Sequence, residues 1–203
     1  MRTLIPLLFV VLLLNSGCFS IVKTLYGIKK PRIESSASID RSVHKIGFRT
    51  PYVYSVSDSF FLKRLKGLKL PDAKVFDDSG RYIEYRSNDS SCNAGLFGFI
   101  PDLRKDGKFN RTMKTDLKTE FNQLRDLNGQ KVEIPSGYDF YILVDWTIWI
   151  GRLNKDHAKV WEDLAIANTN CKIAFIAVNM DFQNWWPETS MSKIKKAVGK
   201  KKK

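Results

Sequence analysis

Residues 138–149 form the most hydrophobic internal run of the chain, and they constrain its fold more than any other stretch. Ile142-Leu143-Val144 is too continuous for a strand with one face in water, and it suits a strand covered on both faces. Residues 154–168 follow with Ala158, Trp161, Leu164 and Ala165 at helical spacing, which predicts a helix with those side chains inward. Residues 173–178 are a second apolar run, ending at Asn179-Met180-Asp181. Strand, helix and strand within about forty residues make one βαβ unit, so the two strands should lie parallel with a right-handed crossover. The fold class that follows is α/β.

Other elements precede this unit. Tyr52-Val53-Tyr54-Ser55-Val56 alternates as a strand does. Ser57 or Asp58 then offers a cap for a helix over 59–67, with Phe61, Leu62 and Leu65 on one side and Lys63, Arg64 and Lys66 on the other. Leu70-Pro71 introduces a hairpin: Lys74-Val75-Phe76, the loop Asp77-Asp78-Ser79-Gly80, then residues 81–85. Residues 88–98 are loop-like around Cys92. Met113, Leu117, Phe121 and Leu124 recur at spacings of four, four and three. That predicts an amphipathic helix over about 110–127, stopped by Asn128-Gly129.

The stretch from Tyr141 to Leu153 resembles the active-site strand and turn of thioredoxin-like proteins. In that family the strand runs into a tryptophan, and Cys-Gly-Pro-Cys opens the next helix. Trp149 matches the tryptophan and Gly151 the glycine. Ile150 and Leu153 stand where the cysteines would be, and Arg152 replaces the proline. The resemblance implies a thioredoxin-like domain over 47–190 that is incomplete or rearranged, with a central mixed sheet flanked by helices. After the second strand the family continues with a cis-proline, a hairpin and a last helix, for which few residues remain here. The hairpin after Leu70-Pro71 has that look. Either it joins the βαβ unit from upstream, or it is the leading hairpin of extracytoplasmic relatives and the end of the fold is lost. Disulfide exchange requires an attacking thiolate and a resolving thiol, so the turn implies no catalytic residue. The family's buried acid position holds Val144, with Asp145 displaced by one residue onto the opposite face.

The N-terminus supplies an address. Arg2, the apolar run from Leu4 to Leu14 and then Asn15-Ser16-Gly17-Cys18 describe an export signal over 1–17. The segment resembles a bacterial lipoprotein signal, which would make Cys18 the lipid-bearing residue and place the protein on a membrane of the cell envelope. Ordinary cleaved export and an uncleaved anchor are the alternatives. Residues 18–46 mix proline, serine and charge and read as a tether, reaching on the order of 25–30 Å as a coil.

Thirty-four Lys+Arg against 21 Asp+Glu give a net charge of +13. Seven of those lysines lie in a basic tail over 191–203. Such a balance favours polyanions. For an exported protein these are anionic lipid or wall polymer rather than nucleic acid, unless the tail serves only to stay solvated. With Cys18 lipidated, Cys92 and Cys171 remain, as a disulfide or as two buried thiols.

No metal or cofactor motif is present. His44 and His157 are the two histidines, neither with a partner that completes a metal site. All five tryptophans fall between Trp146 and Trp186. Trp146, Trp149 and Trp161 are expected in the core, while Trp185 and Trp186, past a strand's carboxyl end, are candidates for ligand binding. The leading expectation is a membrane-tethered, non-catalytic binding or scaffold domain. The alternatives are a divergent thiol-disulfide protein using Cys92 and Cys171, and a module docking through its lysine tail.

Overall fold

Every residue of the strand Phe140–Trp146 is buried, because it has a hydrophobic layer on each side. Phe140, Ile142, Val144 and Trp146 enter one layer, with Trp161 and Phe175; Tyr141 and Leu143 enter the other, with Phe61, Phe76 and Ile176.

The computed structural model describes residues 23–66, 69–86 and 93–199. In chain order the elements are β1 (Ile33–Glu34), α1 (Ser36–Ile46), β2 (Val53–Val56), α2 (Asp58–Leu65), β3 (Asp72–Asp77), β4 (Arg81–Ile83) and α3 (Gly95–Phe99). There follow β5 (Arg111–Asp116), α4 (Leu117–Asn122), β6 (Leu124–Arg125) and β7 (Phe140–Trp146). After a wide helical turn, Asn154–Lys159, come α5 (Val160–Ala167), β8 (Ile173–Asn179), β9 (Phe182–Gln183) and α6 (Glu188–Gly199). Seven strands form one mixed sheet in the order β5-β4-β3-β7-β8-β2-β6, and β1 pairs with β9 in a separate two-stranded piece. The fold is mixed α/β, with helices on the sheet.

The βαβ expectation is met: β7 and β8 are parallel, with Ile142 opposite Phe175. Ala158, Trp161 and Ala165 are buried beneath the sheet as their spacing predicted. The hairpin joins the same sheet, β3 lying antiparallel to β7 with Val75 opposite Ile142, and the Leu70–Pro71 peptide is cis.

Several expectations change. Residues 95–98 of the stretch read as loop belong to α3. Part of the tether predicted over 18–46 is the helix α1. Ser35 caps it by accepting from the Ser38 N–H, Gly47 ends it at φ 93°, and Ile39 and Val43, one turn apart, are buried in the core. The predicted helix over 110–127 is instead strand, helix and strand. Met113 is 95% exposed on β5, and the Asp116 side chain caps α4 by accepting from the Thr119 N–H at 2.8 Å, so the helix begins only at Leu117. The basic tail predicted over 191–203 begins as α6, whose Met191 and Ile194 are buried under the sheet. Residues 1–22 and 200–203, with the export signal, Cys18 and the terminal lysines, lie outside the described residues. No helix among those described is long and apolar enough to cross a membrane.

Candidate functional site

The turn after β7 carries the resemblance, and the fold holds it from two sides. From within, the buried Asp181 carboxylate accepts the Ile148 N–H at 2.7 Å and the Asn179 side-chain N–H at 2.8 Å. Burial pushes the Asp181 carboxyl up to about 6, and the nearby Glu34 adds to this, against the hydrogen bonds that favour its charged form. Asn154, 1% exposed, donates to the Thr147 and Gly151 carbonyls at 2.8 and 3.2 Å.

From outside, residues 26–29 lie across the turn as a strap. The Arg152 N–H donates to the Tyr26 carbonyl at 2.8 Å, and the Lys29 N–H donates to the Trp149 carbonyl at 2.8 Å. Gly151 is required here. At φ 61° it is left-handed, and a Cβ would stand 2.2 Å from the Tyr26 oxygen. Ile150 is buried and Leu153 half-buried, so aliphatic carbon occupies both positions where the family has sulfur. Arg152 is exposed.

Strap, α1 and turn enclose a cavity of about 480 Å³ near the carboxyl ends of β7 and β8, lined by Lys29, Arg32, Lys45, Arg152 and Lys155 with no carboxylate among its lining residues. Arg32 is paired with Glu34 at 2.6 Å and Arg152 with Asp156 at 3.4 Å. Lys29, Lys45 and Lys155 are exposed and pair with no carboxylate among the described residues.

Across the sheet, near the same end of β7, lies a second, larger cavity of about 610 Å³, floored by a buried ion cluster. The Arg64 guanidinium grips Asp145 with two nitrogens, at 3.0 and 2.7 Å, and reaches Glu120 at 2.6 Å. The Lys74 ammonium closes on Glu120 at 2.7 Å. Burial lowers the Arg64 pKa, but Asp145 and Glu120 together raise it well above the ordinary arginine value. Burial raises the Asp145 carboxyl; in Glu120 the same burial is outweighed by Arg64 and Lys74, which hold it below the usual range. The placement of Asp145 opposite Val144 agrees with the alternation read from the sequence. Arg64 does not lie on the solvent face of α2; it meets Glu120 across 56 positions, a pairing that no local signal in the sequence marks.

The remaining candidates are scattered. Cys171 is a free thiol, donating to the Leu103 carbonyl at 3.3 Å, and burial pushes it up to about 11. Cys92, its expected partner, lies outside the described residues. Trp186 is buried against Phe61 with ring centroids 5.0 Å apart. Trp185 is half-buried and covers Gly129. His157 packs its ring on Phe97 and Trp161. No group of acids, histidines and cysteines among the described residues is placed to hold a metal ion. The chain matches no family model, no curated protein and no solved structure.

Proposed function

We propose that this chain is a membrane-tethered protein of the bacterial cell envelope, anchored through lipid on Cys18, whose thioredoxin-like core binds or scaffolds rather than catalyses. One observation carries the reading. The turn that the resemblance would make a thiol site is already covered by the chain's own strap, through backbone bonds at Tyr26 and Lys29. The residues in the two sulfur positions, Ile150 and Leu153, carry no thiol to attack a disulfide or to resolve one. The thioredoxin-like part of the reading draws support from the hairpin. Its pairing of Val75 with Ile142 is what a sheet rearranged by an upstream hairpin requires, and Pro71 leads into it.

The alternative using Cys92 and Cys171 asks the Cys171 thiol to ionise near neutrality, where burial keeps it protonated. The test is insulin-disulfide reduction by the mature protein and by its Cys92→Ser/Cys171→Ser double variant, with intact-mass measurement of the protein from its native host. The expected result is background turnover in both proteins and a mass carrying acyl chains. Turnover in the parent that the double variant loses would install the redox alternative. Turnover that survives both replacements would overturn the reading outright.

A further inference from the structure

The charged residues lining the cavity beneath the strap are all cations, whereas carboxylates line the other cavity as well. In the cavity beneath the strap, positive charge is left over. Its five cations meet carboxylates only through Arg32–Glu34 and Arg152–Asp156, so Lys29, Lys45 and Lys155 contribute three charges with no internal counterpart. Three ammonium groups around one concavity repel each other, and their mutual cost falls only when an anion, or bulk salt, comes between them. A singly charged carboxylate would offset one of the three. A phosphate group, carrying close to two charges near neutrality and presenting several acceptor oxygens, offsets more and engages more than one ammonium.

The cavity is also larger than a bare phosphate requires, and it is not wholly polar. Leu25, Ile46 and Ile148 share its lining. Buried Asn154 lies in the wall, its side-chain amide donating to the Thr147 and Gly151 carbonyls and so fixing the turn. Position agrees with composition, since ligands of open α/β sheets gather outside the carboxyl ends of the strands, and this cavity is next to the end of β7.

We infer that the cavity under the strap is a binding site for a small phosphate-bearing organic molecule, held at its phosphate by Lys29, Lys45 and Lys155. The inference rests on the reading of this face as a binding face, but not on the absence of thiol chemistry. Two sources share the chemistry: a free phosphomonoester and the monoester headgroup of a phosphatidate lipid. The second is within reach because Cys18 and Thr24 are six residues apart, at most about 20 Å of extended chain.

The experiment uses the mature full chain, its Lys29→Gln/Lys45→Gln/Lys155→Gln variant and a charge-matched control, Lys63→Gln/Lys66→Gln/Lys118→Gln, each verified as folded by circular dichroism. One arm titrates glycerol 3-phosphate, inorganic phosphate and acetate by calorimetry at fixed ionic strength. The other measures sedimentation with vesicles of phosphatidate in phosphatidylcholine, against vesicles of phosphatidylcholine alone. The expected result is binding of glycerol 3-phosphate in preference to acetate, or binding of phosphatidate vesicles, that falls at least tenfold in the cavity variant and less than threefold in the control. The first pattern assigns a soluble ligand and the second a headgroup. Equal losses in the two variants, equal affinity for acetate, or no binding in either arm would overturn the site. Insulin reduction is read separately, so a thiol-active protein with an intact phosphate site remains distinguishable from an inert one without it.

Discussion

The two cavities beside β7 both carry lysine and arginine in their linings, but only one of them also holds carboxylates. In one, Arg64 and Lys74 meet Asp145 and Glu120 at hydrogen-bond distance and each cation has a carboxylate. In the other, three lysines ring the strap without one, while the carboxylate beneath them, Asp181, is spent on the backbone of Ile148 and the amide of Asn179. A matched cluster is part of how a protein coheres, because removing either sign strands the other in low dielectric. An unmatched one contributes little to cohesion and leaves charge to be answered from outside.

That contrast can be broken most forcefully at Arg64. Arg64→Met leaves Asp145 and Glu120 facing each other without their guanidinium. It should lower the unfolding free energy by about 3–5 kcal/mol, read from urea unfolding at neutral pH. A loss under about 1 kcal/mol would mean that the cluster is no more structural than the lysines. Gly151→Ala comes next. The added methyl meets the Tyr26 carbonyl at a backbone angle that favours glycine, so the strap must lift, at a loss of about 1–3 kcal/mol with faster amide exchange at Arg152 and Lys29.

Asp181 tests the cationic side through pH. Its carboxyl is raised from the ordinary 3.8 to about 6 in the fold. The native state therefore holds this proton more tightly than the unfolded chain does. The group's contribution is most favourable below about pH 4 and is lost as pH rises through 6. Asp181→Asn keeps an acceptor for the Ile148 N–H and should flatten that segment of the stability profile, gaining about 1–3 kcal/mol at pH 7.5 and nothing at pH 4. A pH-independent difference would show that the shift is absent. The smallest effect is expected where the inference is boldest. The Lys29→Gln/Lys45→Gln/Lys155→Gln variant should unfold at the parent's urea midpoint or slightly above it, by no more than about 0.5 kcal/mol, since the lysines hold nothing together and their mutual repulsion is removed.

How far the sequence disclosed these regions depends on whether their signals are local. β7 and β8 were legible because burial on both faces leaves uninterrupted apolar runs, and the hairpin because Asp77-Asp78-Ser79-Gly80 is turn chemistry in four residues. The helix α1 carried its own notice in Ser35, Ser38 and Gly47, but with Ile39 and Val43 as its buried pair the apolar stripe was too thin to stand out. Over 110–127, real core residues misled. Leu117, Phe121 and Leu124 are buried at helical spacing, but Met113 belongs to the strand before the Asp116 cap. Neither the ion cluster nor the strap is local. Arg64 and Asp145 are 81 residues apart, and backbone pairing between residues 26–29 and the turn leaves no trace in side-chain pattern beyond a glycine at 151.

Backbone bonds at Tyr26 and Lys29 join the N-terminal side of the molecule directly to the loop that closes its central strand. Load applied to residues 26–29 therefore enters the sheet through two amide links at Arg152 and Lys29. Tension that peels the strap would also unroof the lysine-lined hollow.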